Sequence, residues 1–328
     1  MSSDDDSSID SLDVPQGVTS VYTAKEMLFE GLKLAGLDAE AQKAQPKSNL
    51  QDYVDLYGSR PEVLAVIWVD LQSTTYERAR VPREKLNLDY FHMTHHYLRQ
   101  YPTESERRFD YLQVSRRKQT HREWVWYYVE KIRALKQQKF FIPRSHIDGD
   151  DIWIATLDGT MFSSWEIAGE TRAKDPAMFS FKHQSAGFNA EVAISIKESR
   201  CIWINGPGKA GENSDLHLFQ KEGGFREVLH EIGKKVIADG GYRGQQQFIS
   251  TPNSHDSASV RKFKSRALKR HEAFNGMIKK FRCLSDKFRH TADKDAERWI
   301  SCFEAVVVIC QYHLENGSPL YNIYVGDM

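Results

Sequence analysis

Long apolar runs are absent from this 328-residue sequence. The longest are Val63–Val69 and Ala305–Cys310, far short of the roughly 18 residues that a membrane-spanning helix needs. The first residues are acidic and polar, so we do not expect a secretory signal peptide. Cysteine is also scarce, with four residues in the whole chain. This scarcity favours a reducing compartment over a disulfide scaffold, and we expect an intracellular protein without a membrane anchor.

The net charge is zero, because 45 basic and 45 acidic side chains balance. The balance hides a strong asymmetry along the chain. Residues 1–57 carry 11 acidic and 4 basic side chains, whereas residues 261–290 carry 11 basic and 2 acidic ones. A charge run is usually a solvated face, but a cluster of this size also fits a polyanionic partner such as DNA.

Three segments follow from the distribution of apolar residues. Residues 1–20 are rich in Ser and Asp and predict a disordered acidic tail. Residues 21–145 show helical periodicity, beginning with a capping box at Thr23 and Glu26. Residues 146–328 alternate between β-prone runs and helical stretches, which predicts an α/β domain of about 180 residues.

The helical segment contains a candidate helix-turn-helix. Helices are predicted at about 89–100, from Thr103 to about 111, and from about 116 into a stripe of apolar residues that ends at Leu135. The second and third of these helices would form the motif. In a helix-turn-helix, the start of the motif's second helix enters the major groove. Four cations lie at the start of the third predicted helix and are candidate DNA contacts: Arg116, Arg117, Lys118 and Arg122. Charged corners of this kind also occur in helical proteins that never bind DNA.

Three acidic residues carry most of the functional information. Asp158 ends the β-prone run 152–157, Asp239 ends the run 236–238, and Glu272 lies in the basic helical stretch 270–279. Two carboxylates at strand ends and a third on a helix can meet at one edge of a sheet. Such a group of acids repels itself unless it binds protons or divalent cations. Taken singly, each residue has an ordinary explanation, as a turn residue or as half of a surface ion pair.

The sequence resembles a known family through five motifs in the same order. They are LDGT at 157–160, FSFKH at 179–183, GPG at 206–208 followed by Ser214-Asp215, IADGGY at 237–242, and E-x-x-N-G-x-x-K at 272–279. These motifs resemble those of the DDE superfamily of transposase endonucleases, with the eukaryotic PIF/Harbinger branch as the nearest match. The resemblance covers about residues 146–328, and extends with less detail to the helical region.

The resemblance implies a ribonuclease H-like catalytic domain that cleaves and joins DNA phosphodiesters. It implies that Asp158, Asp239 and Glu272 bind two Mg²⁺ or Mn²⁺ ions, with Asp158 bridging both. Asp215 and Asn275 match supporting positions beside these ligands, Asp215 as a helix cap or a neighbour of the ligands. Arg270, Lys279 and Lys280 are candidate contacts to the DNA backbone, and Lys279 lies two turns after Glu272 on the same helix face.

The same resemblance implies that the substrate is double-stranded DNA, both the transposon ends and the target. A nuclear location follows from that substrate. A separate Myb-like DNA-binding protein and a homo-oligomer are further expected partners.

Two alternatives remain at this point. A domesticated, catalytically silent DNA-binding or scaffold protein would keep the fold and lose the reaction. A glycosidase would use paired carboxylates without a metal, although the basic segment argues against a sugar substrate.

Overall fold

The computed structural model describes residues 21–37, 46–103, 106, 118–165, 175–289 and 296–324. The predicted tail at 1–20 lies outside the described residues, as do Arg116 and Arg117. Of Lys118 only the backbone is described, at the first position of a helix. Within the described part of the chain, no helix is long and apolar enough to cross a membrane.

The first half of the chain is helical. Its helices are Ala24–Leu34 (α1), Pro46–Tyr57 (α2), Pro61–Ser73 (α3), Leu88–Gln100 (α4), Lys118–Ala134 (α5), Lys136–Lys139 (α6) and Arg144–Ile147 (α7), with a 3₁₀ turn at Arg83–Lys85. The capping box predicted at the start of α1 is confirmed. Thr23 accepts a hydrogen bond from the Glu26 backbone, and the Glu26 carboxylate accepts one from the Thr23 backbone at 2.8 Å. The chain therefore enters α1 with its first amides already paired.

Two of the three helices predicted in this region are confirmed, as α4 and α5. Of the helix predicted between them, only Thr103 and Glu106 are described. There, the Thr103 amide donates to the Glu106 carboxylate at 2.5 Å and the Glu106 amide donates to the Thr103 hydroxyl at 3.3 Å. The helix-turn-helix arrangement as a whole stays a prediction.

The second half of the chain is built on a mixed sheet. Its strands are Trp153–Ser163 (β1), Phe179–Ser180 (β2), Ser185–Ser195 (β3), Cys201–Lys209 (β4), Lys235–Ile237 (β5) and Ile249–Ser250 (β6). Strand β3 pairs antiparallel with β1 on one side and with β2 and β4 on the other, while β5 and β6 continue from β1 in parallel. The sheet thus combines an antiparallel half and a parallel half that share β1.

Helices cover the sheet on both faces. They are Asp215–Gln220 (α8), Phe225–Ile232 (α9), Ala258–Ile278 (α10), Arg282–Ser285 (α11) and Glu297–Glu315 (α12), and 3₁₀ turns lie at Pro176–Met178 and Gly240–Tyr242. Leu157, Val236 and Phe225 share one apolar cluster, which places α9 on one face of β1 and β5. A second cluster, containing Ile237 and Phe263, lies beneath α10.

Helix α12 joins the helical half to the sheet. Trp299 of α12 packs against Phe162 of β1 and Phe188 of β3, with ring centroids 5.5 and 5.1 Å apart. On its other side, Glu304 of α12 pairs with Arg133 of α5 at 2.5 Å. One continuous apolar cluster therefore runs from the N-terminal helices through α12 into β1 and β3, and α12 fixes the helical half against the sheet.

One local prediction is wrong. Asp158 was expected to end its strand, but β1 continues for five more residues to Ser163. The continuation is possible because β3 pairs with β1 over the whole stretch from Ala155 to Ser163. Asp158 therefore extends from the middle of a strand that is hydrogen-bonded along one side.

Candidate active site

Asp158 and Asp239 come together because β5 is much shorter than β1. The last pair between the two strands joins Thr156 to Ile237. Beyond it, β1 continues alone on that side, and the chain that leaves β5 reaches Asp239 after two residues. A crevice beyond the carboxyl end of parallel strands is a common position for a functional site in open α/β sheets.

A third carboxylate, that of Asp215, enters the same place from α8. Ser214 is the residue that caps this helix, with its hydroxyl accepting from the His217 backbone, so the Asp215 side chain is not the cap. A Cβ added at Gly159 would fall well inside 3.0 Å of the Asp215 carboxylate, and one at Gly241 would lie 3.3 Å from Asp215 Oδ2. Asp215 thus occupies space that only glycines leave open between β1 and the turn after β5.

The electrostatics of these acids show their proximity. Burial is the largest cause that raises the pKa of Asp158, followed by the charges of Asp239 and Asp215, and together they bring it to about 7. The pKa of Asp215 is also raised, by burial and by Asp239, although Lys182 lowers it. Neighbouring carboxylates that repel each other, two of them partly buried here, favour either protons or cations. We call Asp158, Asp215 and Asp239 the acidic cluster.

Helix α10 contacts this cluster from the face of the sheet opposite to α8 and α9. His271 Nδ1 lies 2.9 Å from the Thr156 hydroxyl, and the Asn275 amide donates to Asp158 Oδ2 at 2.8 Å. His271 and Asn275 are four residues apart, about one helical turn. Their partners Thr156 and Asp158 are two residues apart and therefore lie on the same face of the strand. Burial lowers the pKa of His271 to about 3, so its ring is neutral and acts as a hydrogen-bonding group.

Glu272 lies on α10. Its side chain is exposed, as is that of Asp239, whereas the neighbouring His271 and the nearby Asn275 are buried against the sheet. Its charge acts on Tyr321, whose pKa is raised mainly by burial, and it is not among the charges that raise the pKa of Asp158. Its predicted role as a metal ligand stays a prediction.

The predicted DNA-contacting cations divide into two groups. Arg122, Lys279 and Lys280 are exposed, and the charge of Lys279 lowers the pKa of Asp158. Arg270 is buried instead, and its guanidinium donates to the carbonyl oxygens of Tyr321, Ser195 and Glu198. These contacts give Arg270 a structural role, and its predicted DNA contact stays a prediction.

Sequence reasoning missed Glu191. This residue is fully buried on β3, directly opposite Gly159, and accepts a hydrogen bond from the Tyr242 hydroxyl at 3.2 Å. Burial raises its pKa to about 8, so the carboxyl is largely protonated at neutral pH. The signal available in the sequence is an acidic residue inside the β-prone run 190–196.

The residues of the acidic cluster have the donor chemistry of a divalent-metal site. Carboxylate oxygens are the ligands that Mg²⁺ and Mn²⁺ prefer, and the Asn275 Oδ1 atom beside them is buried without a hydrogen-bond partner. Among the described residues, however, no group of three or more His, Cys, Asp or Glu side chains has the arrangement that would hold a metal ion. The donor set therefore fits a cation, while the side-chain arrangement does not yet enclose one.

Comparison with known proteins supports a nuclease. Residues 157–311 match the family model described as DDE superfamily endonuclease. No match was found among curated proteins or among solved structures. The matched range begins in β1, ends in α12, and contains the acidic cluster and Glu272. The match supports the DDE superfamily for this region and a transposase-like nuclease activity.

Proposed function

We propose that this protein is a metal-dependent DNA endonuclease of the PIF/Harbinger transposase type, with a ribonuclease H-like catalytic domain. The observation that carries the proposal is the meeting of Asp158, Asp215 and Asp239 at the open side of β1. The sheet order β4-β3-β1-β5-β6, with an antiparallel half and a parallel half, supports the fold assignment. The match to the DDE superfamily over residues 157–311 supports the reaction class.

In this proposal, Asp158 and Asp239 would hold divalent cations, with Asp215 beside them and Glu272 as the third predicted ligand. Bound there, the cations would activate the attacking water or 3′-hydroxyl and stabilise the leaving oxygen. The Asn275 amide would keep the Asp158 carboxylate in one orientation. The Gly241 amide, which donates to Asp239 Oδ1 at 2.8 Å, would do the same for Asp239.

The cations of the protein would bind the DNA backbone around this site. Lys279 is exposed and near enough to affect Asp158 electrostatically, so a phosphate next to the acidic cluster would meet a positive charge. Arg122 and the predicted start of α5 would extend the contact into the helical region. Binding through phosphates should weaken steeply as salt is added. A Myb-like partner and a homo-oligomer would supply contacts that lie outside this chain.

The replacement Asp239→Asn tests the reaction. We expect it to abolish Mn²⁺-dependent nicking of supercoiled plasmid DNA, because an amide is a poor ligand for the cation. DNA affinity at low salt should be retained or rise, because one negative charge is removed from the phosphate's path.

The replacement Asp150→Asn is the matched control, since it makes the same chemical change at an exposed position. It should leave both nicking and affinity unchanged. Retained nicking in Asp239→Asn would overturn the proposed mechanism.

The exposed position of Glu272 favours one alternative. A DNA-binding scaffold that has lost catalysis does not need Glu272 beside the acidic cluster. Calorimetric titration with Mn²⁺ separates the two functions, because the scaffold predicts no heat of binding in either the unaltered protein or Asp239→Asn. The nuclease predicts binding that Asp239→Asn weakens.

A further inference from the structure

The tip of the β2–β3 hairpin presents an aromatic ring to solvent. Phe181 is 82% exposed, more than any other large apolar side chain among the described residues. Single exposed apolar residues are common and need no special explanation. Three observations separate Phe181 from an ordinary exposed residue: the hydrogen bonds that hold the turn, its attachment next to Asp215, and the lysine and histidine that follow it.

The turn that carries Phe181 is held by several hydrogen bonds. Strand pairs at Phe179 and Ser180 leave a four-residue tip, 181–184. The Gln184 side chain donates to the Phe181 carbonyl at 2.6 Å, and Gln184 itself has a left-handed backbone with φ of 52°. The Phe179 ring meets Phe181 edge-on at 5.4 Å. The exposed ring is therefore supported in position and not simply attached to a loose loop.

The hairpin is fastened to the loop that leads into Asp215. The Gly211 amide donates to the Ala177 carbonyl at 2.7 Å, and Lys209 pairs with Asp175 at 2.9 Å. A Cβ at Gly211 would lie only 2.7 Å from the carbonyl oxygens of residues 176, 177 and 179, so the two backbones are in close contact. The base of the hairpin and the loop that leads into Asp215 are thus in direct contact.

A lysine and a histidine follow the exposed ring. Lys182 and His183 are both exposed, and both lower the pKa of Asp215, which burial raises. Their charges therefore act on the acidic cluster from the hairpin side. An exposed ring followed by a lysine and a histidine matches the two parts of a nucleotide. A base stacks on an aromatic face, and its phosphate can accept hydrogen bonds from the lysine and the imidazole.

We propose that Phe181 is a stacking platform for an unpaired base of the DNA strand at the cleavage site, with Lys182 and His183 contacting the adjoining phosphate. This proposal rests on the proposed nuclease function and adds to it a preference for single-stranded or locally opened DNA. A fully paired duplex keeps its bases stacked on one another and offers Phe181 no free face.

The test is binding of fluorescein-labelled oligothymidylate, compared with a duplex of the same length, in EDTA at low salt, so that no cleavage occurs. Phe181→Ala should weaken single-strand binding by roughly 5- to 150-fold, the usual range for one stacked base. Duplex binding should be nearly unchanged, and Phe181→Trp should keep single-strand affinity. Phe141→Ala is the matched control, because Phe141 is also exposed but packs on Arg200, beyond the opposite end of β3.

Two outcomes overturn this inference in distinguishable ways. If the unaltered protein binds neither DNA, the proposed nuclease function and the stacking proposal fail together. If it binds both, and Phe181→Ala loses no single-strand affinity or loses the same factor on the duplex, only the stacking proposal fails.

Discussion

The acidic cluster and the basic helix α10 are organised in opposite ways. Asp158, Asp215 and Asp239 lie on three elements that are distant in sequence, yet they meet at one point. The cations of α10 follow one another in sequence, yet the fold separates them: Arg270 and Lys264 are buried, while Lys262 and Lys279 are exposed. Acidic residues that converge in the fold are therefore a stronger sign of function than cations that are adjacent in sequence. Their repulsion raises the free energy of the folded state unless bound protons or cations offset it.

Displacing Asp215 from the acidic cluster should have the largest effect on plasmid nicking. Gly159→Ala would place a Cβ in the position of the Asp215 carboxylate, and a shift of about 1 Å at a reactive centre can cost roughly 100-fold in rate. We expect plasmid nicking to fall by about that factor while the protein remains folded, as monitored by thermal melting.

Gly276→Ala is the control for that replacement. Gly276 is exposed in the last turn of α10, and an added Cβ there meets nothing within 4 Å. It should leave nicking intact and stabilise the fold by roughly 0.5–1 kcal/mol, because alanine loses less backbone freedom in a helix. Equal nicking by the two variants would show that the position of Asp215 is unimportant.

A second experiment sharpens the distinction between buried and exposed cations. Arg270→Gln removes most of the donors to three carbonyl oxygens and should lower the free energy of unfolding by about 3 kcal/mol, as measured by urea denaturation. Lys279→Gln should leave that free energy unchanged but reduce the slope of log affinity against log salt by about 1. If the two variants exchanged these effects, the assignment of structural and DNA-facing cations would be reversed.

The difference between the two regions also explains what the sequence could predict. Asp158 and Asp239 follow β-prone runs, and the parallel pairing of those runs brings the two residues together, so their proximity was predictable. The contact between Asp215 and Gly159 depends on how α8 packs on the sheet, which no local pattern contains. In α10, buried residues occupy more than one face, because the sheet and the Tyr321 segment both cover it; exposure of individual cations was therefore not predictable.

Glu191 allows the finest test, because it is a buried acid outside the acidic cluster. Its pKa is raised from 4.5 in the unfolded chain to about 8 in the fold, chiefly by burial. Between these values the folded protein binds the extra proton, so folding stability should fall as pH rises from about 4.5 to about 8. The slope from this one group is at most about 1.4 kcal/mol per pH unit.

Glu191→Gln removes the titrating group but keeps an oxygen that can accept from Tyr242. Urea denaturation between pH 5.5 and 8.5 should therefore give a flatter stability profile for this variant than for the unaltered protein. Asp158 and Asp215 titrate in both proteins, so the difference between the two profiles isolates Glu191. Glu231→Gln, an exposed position on α9, should reproduce the unaltered profile. Parallel profiles for Glu191→Gln and Glu231→Gln would mean that the Glu191 carboxyl is ionised in the fold, and that the sheet behind the acidic cluster accommodates a further negative charge.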